Sequence, residues 1–187
     1  EDSDVQDRRF EFIVLEDKSI NAFAAPGGII GINLGMFLET RKEGELASVM
    51  CHELAHLSQR HYARSQNRSS PLANALMVLG SIVVAAASRN PEAILIAPAA
   101  MQQMSINFTR SNEKEADRIG FNNLVKAGFN PDDMTSMFQR MQDKYQSKSS
   151  EEFSYLMTHP LPSERLSDMR VRADDLPKSS KNNYRDN

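Results

Sequence analysis

A mostly helical α+β domain with a small antiparallel sheet is the fold this sequence predicts, on three observations. Short β-prone apolar runs are confined to the first thirty-four residues: Phe10 to Leu15, Ile20 to Ala25 and Ile29 to Leu34. After Gly35 the apolar residues recur at helical spacing almost to the end. One of those helices carries His52-Glu53-Leu54-Ala55-His56. Residues 1–176 are expected to form one domain and the polar residues 177–187 a tail or linker, without apolar periodicity.

The elements follow in order. Phe10 to Leu15 reads as a strand closed by the turn Glu16-Asp17-Lys18. Pro26-Gly27-Gly28 separates the next two extended runs, which predicts a β-hairpin or meander. The key helix spans residue 44 to about residue 64, with Leu46, Val49, Met50, Leu54 and Leu57 on a broad side that packs deeply. Two further helices are expected over roughly 72–88 and 92–127, the second closed by Gly128 in a left-handed cap. Asn130-Pro131-Asp132-Asp133 supplies an N-cap, a first-turn proline and two acids suited to the helix dipole. The methionines and phenylalanine at 134, 137, 138 and 141 along that helix read as core filling rather than as an adaptable binding face. Ser163 is the expected cap of a last helix reaching about Asp175.

At 187 residues and a formal charge of -3, the composition argues against a nucleic-acid groove and against an acidic solvating tail. Cys51 is the single cysteine, so an intrachain disulfide and a thiolate metal cluster are both excluded, and any metal needs His, Asp or Glu. The start lacks the basic and apolar regions of a signal peptide. Leu72 to Ala87 is the most apolar stretch. As a helix it spans roughly 24 Å against the about 30 Å of a hydrocarbon core, so no transmembrane span is expected.

His52 and His56 are four residues apart, so on a helix both imidazoles leave one face and can converge on one ion. Glu53 lies about 100° around the helix from His52, poorly placed as a ligand but beside the open position of the metal. There a carboxylate can take a proton from the attacking water and pass it to the leaving amine. The bland alternative is two solvent-facing histidines on an amphipathic helix. A metzincin pattern is excluded, because Gln59 and Tyr62 stand where Gly and His are required. His61 points elsewhere. The third ligand is sought in Asn112-Glu113-Lys114-Glu115-Ala116-Asp117: Glu113 and Asp117 share a face one turn apart, so Glu113 can bind the ion while Asp117 accepts from a ligating imidazole. Taken alone, that segment also reads as a solvated acidic helix.

These motifs, with Asn21-Ala22-Phe23-Ala24-Ala25-Pro26-Gly27-Gly28 and His159-Pro160-Leu161-Pro162-Ser163-Glu164-Arg165, resemble the gluzincin family of zinc metallopeptidases. That family contains the CAAX prenyl proteases and HtpX, and the likeness is greatest to its periplasmic branch, which serves outer-membrane β-barrel assembly. The resemblance implies a zincin-like domain with one Zn2+ held by His52, His56 and Glu113. It further implies Glu53 as general base, Asp117 behind the ligands, and Asn21, Ala22, Phe23 and Ala24 as an edge strand that takes extended substrate by backbone pairing. His159 is expected to act at the centre, as a displaceable fourth ligand or as a donor to the tetrahedral intermediate, with a loop-capping histidine as the bland alternative. Arg165 is expected near the cleft, paired with an acid or the substrate backbone, a surface ion pair being the alternative.

The implied substrates are unfolded or misassembled envelope proteins, the implied compartment is the periplasm, and the barrel assembly machinery is the implied partner. Two other functions stay open: a latent domain serving as a chaperone-like binding module with its zinc closed by His159, and a metal-stabilised structural domain. Unlike the family's membrane members, this sequence has no series of long apolar spans; the helix before the first strand and the helical repeat domain of the periplasmic branch are not found in it, as expected of a protease-domain fragment trimmed at its start or of a shorter member.

Overall fold

The computed structural model describes residues 10–25, 27–68, 96–147 and 154–176. The expected helix over 72–88, residues 92–95 and the tail 177–187 lie outside them. The described elements are β1 (Glu11–Leu15), β2 (Ala22–Ala25), β3 (Ile29–Asn33), α1 (Leu34–Glu39), α2 (Glu43–Ser58), α3 (His61–Arg68), α4 (Ile96–Lys126), α5 (Pro131–Ser147), α6 (Ser154–Thr158) and α7 (Ser163–Asp174). The chain divides into two compact units, one of residues 1–59 and 113–187, the other of residues 60–112.

The first unit holds the sheet, in strand order β1-β3-β2. Gly27 and Gly28, with φ of 96° and 84°, supply the left-handed backbone that turns β2 back onto β3 as an antiparallel hairpin. The expectation of a wholly antiparallel sheet is corrected here. β1 runs parallel to β3, with Phe12 opposite Ile30 and Val14 opposite Ile32, so the sheet is mixed. The physical reason is the link from Glu16 to Asn21, which carries the chain across to the far side of β3 instead of folding it back beside β1. All five residues of β1 are exposed. On the outer face the Phe23 ring covers Gly31, where a Cβ would meet the ring at 2.3 Å.

α2 packs against β2 and α5. Val49 is fully buried, whereas Leu46, Met50 and Leu54 are only half-buried, because they line an apolar groove of about 360 Å³ with Phe10, Phe12 and Phe129. The key helix is also shorter than expected: it stops at Ser58, and Arg60, at φ 52°, separates it from α3. Gly128 adopts φ 82° after α4, as expected of its cap. The Asn130 side chain accepts from the amide of Asp132 at 3.0 Å and starts α5. Met134, Met137, Phe138 and Met141 are all completely buried, so the methionine stripe is core, each side chain contributing roughly 1.5–3 kcal/mol. Ser163 is not the cap of the last helix; Pro162 occupies that position and Ser163 is the first helical residue.

A half-buried ion pair ties these helices together. Arg140 of α5 reaches Glu45 of α2 through both terminal nitrogens and donates to the Glu39 carbonyl at 3.1 Å. Among the described residues no helix is long and apolar enough to cross a membrane.

Candidate metal centre

The centre is built where α2 and the first-unit part of α4 come closest. Gly120 permits that approach: a Cβ at this position would lie 3.0 Å from the backbone of His52. With the helices so near, the Glu113–Asp117 face of α4 meets the His52–His56 face of α2. His52, Glu53, Glu113 and Asp117 are all buried, and His56 is half-buried.

The contacts are short and convergent. His52 Nε2 and His56 Nε2 are 3.0 Å apart. Glu113 places Oε2 at 3.3 Å from His52 Nε2 and Oε1 at 3.2 Å from His56 Nε2. Asp117 Oδ1 lies 3.1 Å from the other ring nitrogen of His52, the contact expected of a carboxylate that fixes a tautomer. From the loop before α7, His159 brings Nδ1 to 3.1 Å from Glu113 Oε1. Donor atoms of His52, His56, Glu113 and His159 all lie within 4.8 Å of one another. His159 is thus brought up to the same donor atoms.

Arg165 is 3% exposed, which rules out a surface ion pair. Its Nε and Nη2 donate to the two Asp117 oxygens at 2.7 and 2.8 Å. Its Nη1 lies 2.9 Å from Glu113 Oε2 and donates to the Pro160 carbonyl at 2.6 Å. One guanidinium thus joins the Glu113 and Asp117 carboxylates of α4 to the loop that carries His159.

Glu53 stands apart from the donor cluster. Its Oε1 is buried without a hydrogen-bond partner, 3.5 Å from His159 Nε2. Sequence reasoning missed Tyr155, which is fully buried with its ring 4.7 Å from that of His159 and 6.4 Å from that of His52. A side chain four residues before His159, on the same side of a short helix, was the available signal. On the other side, β2 presents Ala22 to Ala24 at a sheet edge beside α2, and the carbonyl of Asn21 accepts from the amide of Asn33 at 3.0 Å.

These residues fit a divalent cation. Ligands at roughly 2.0–2.1 Å in a tetrahedron stand about 3.3 Å from one another, and the closest donor pairs here are 3.0 to 3.3 Å apart within a set that spans no more than 4.8 Å. Three buried carboxylates against one buried guanidinium leave two negative charges for an ion to neutralise. Imidazole and carboxylate donors suit zinc. Protons compete for the same atoms. Burial disfavours a charged His52, but the carboxylates of Asp117 and Glu113 outweigh it and carry its pKa up to about 9. Burial raises the pKa of Glu113, yet hydrogen bonds from His159, His52 and His56 hold it far below the usual carboxylate range. Asp117 is likewise kept low, Arg165 and His52 overcoming the effect of burial. For His56 burial dominates and the pKa falls, which favours the neutral, ligating ring.

The sequence matches the peptidase family M48 over residues 1–173. The chain belongs to that family. It is similar to the beta-barrel assembly-enhancing protease of Escherichia coli K12, 42% identical over 176 residues, covering 89% of this chain and 35% of that one. A Vibrio cholerae protein provisionally given the same name is 46% identical over 175 residues, with 90% and 35% covered. The mitochondrial metalloendopeptidase OMA1 of Schizosaccharomyces pombe is 29% identical over 164 residues, with 88% and 47% covered. The chain therefore spans about a third to a half of the length of these relatives. Membership in the peptidase family M48 accords with the donor set.

Proposed function

We propose that this chain is a zinc-dependent endopeptidase of the bacterial periplasm that cleaves misfolded or stalled outer-membrane β-barrel proteins. The observation that carries the reading is the division of labour among carboxylates: Glu113 lies within the imidazole cluster, while Glu53 is held beside it with one oxygen unengaged. A purely structural site has no use for that second carboxylate. Zinc, when bound by His52, His56 and Glu113, supplies a Lewis acid that polarises the scissile carbonyl and acidifies water.

The other work falls to the chain. Glu53 accepts the proton of the attacking water and delivers it to the leaving amine. The edge of β2, from Asn21 to Ala24, aligns an extended peptide through its backbone and so imposes little sequence preference. Asp117 holds the His52 ring in one tautomer, and Arg165 holds Asp117. The relatives named for β-barrel assembly support the envelope substrate and a partner in the assembly machinery. The test is degradation of casein by wild type, by Glu53→Gln and by chelated protein: turnover confined to the untreated wild type supports the reading, and full activity in Glu53→Gln refutes it.

A second reading is favoured by His159, whose Nδ1 stands among the other donors. It describes a latent domain in which His159 is a fourth ligand at rest and the chain acts mainly as a binding module. His159→Ala then raises proteolysis. A steep fall instead assigns His159 to support of the tetrahedral intermediate.

A further inference from the structure

Tyr155 is more than packing. Its ring is completely buried against His52, His159 and Phe138. Its backbone anchors the loop: the amide donates to the Ile20 carbonyl at 3.2 Å, and its carbonyl accepts from the amide of His159 at 2.8 Å and from Thr158 Oγ1 at 3.1 Å. A phenylalanine would make every one of these contacts. What the tyrosine adds is a buried hydroxyl without a hydrogen-bond partner, an arrangement that calls for a physical reason. Glu53 Oε1 is also buried and unpartnered, beside the same His159 ring that Tyr155 packs against. His159 Nε2, 3.5 Å from that oxygen, is the competing donor.

We propose that Tyr155 is the positioning residue of Glu53, its hydroxyl donating to Oε1 once His159 withdraws and leaving the second oxygen to face the attacking water. This rests on Glu53 serving as the general base of the peptidase proposed above. Burial, and then the charges of Glu53 and Glu113, hold the phenol pKa well above its ordinary value, so the hydroxyl keeps its proton at neutral pH. A carboxylate fixed through one oxygen has its other oxygen aimed, and the gain appears in turnover rather than in substrate binding.

Tyr155→Phe removes the hydroxyl alone. The expected result is a fall in kcat of about tenfold with KM unchanged, at equal zinc content and equal melting temperature. A second readout needs no turnover and no metal. The tyrosine doublet in ultraviolet resonance Raman, taken as the difference between His159→Ala protein with and without Tyr155→Phe, reports whether this phenol donates a hydrogen bond. That signature should show a strong donor and should be lost when Glu53→Ala is added. An unchanged kcat in Tyr155→Phe, or a Raman signature indifferent to Glu53→Ala, overturns the role of Tyr155 while leaving the peptidase reading intact. Wild-type turnover in Glu53→Gln would instead overturn that reading and this one with it.

Discussion

Arg165 makes four contacts that no other side chain could make together. Its planar fork spans Asp117, while Nη1 meets Glu113 and the Pro160 carbonyl. A lysine carries the charge but lacks the fork, so Arg165→Lys should weaken zinc binding about 10- to 100-fold in a chelator competition, with a mobile His159 loop. Unaltered affinity would show that Asp117 and Glu113 orient themselves. At this scale the sequence was informative where chemistry follows from spacing. His52, Glu53 and His56 are fixed by one helix, and Glu113 and Asp117 by another. It was uninformative where contact depends on tertiary placement. The buried state of Arg165 and the part played by Tyr155 come from a loop whose course is not written in local periodicity.

Among elements, the approach of α4 to α2 sets the dimensions of the centre, and Gly120 permits it. Gly120→Ala should push the helices apart by a few tenths of an ångström against backbone atoms, costing about 1–3 kcal/mol in chemical denaturation and loosening the metal. A stability equal to wild type would mean the helices are not held that close. Removing one partner of the half-buried Glu45–Arg140 pair, as in Glu45→Ala, takes the carboxylate from the guanidinium between α2 and α5, leaves it with the Glu39 carbonyl, and should cost about 1–3 kcal/mol. The long helices α2, α4 and α5 were legible from their 3.6-residue pattern and their Gly128 and Asn130 signals, whereas the short α1 and α6 were not assigned. Two features were not. Gln59-Arg60-His61 contains neither glycine nor proline to announce the break after α2. The run from Phe12 to Leu15 is apolar on both faces, so nothing in it specifies the direction of the strand beside it.

For the whole molecule, metal and protons act on the same folded state. Without metal, the raised pKa of His52 means its contribution is complete below about 6.5 and is lost as pH rises through about 9. Glu113 and Asp117, whose pKa values are lowered, contribute above their ordinary values near 4.5 and 3.8 and lose that contribution in acid. Chelated protein should therefore melt at lower temperature at pH 9.5 than at pH 6.5, about two conditions that straddle the upper pKa. Zinc at 100 times its Kd should stabilise by about 2.7 kcal/mol, more readily at the higher pH, because binding expels the His52 proton. A melting temperature indifferent to pH in chelator would contradict the charge balance described here. The shared guanidinium also bears on protein engineering. A designer who transplants the two metal-binding helices into a new scaffold, leaving behind the chain from His159 to Arg165, inherits neighbouring anions with nothing between them. Such a graft should bind cations of many kinds loosely and hold none in a catalytic pose until the whole segment is carried across.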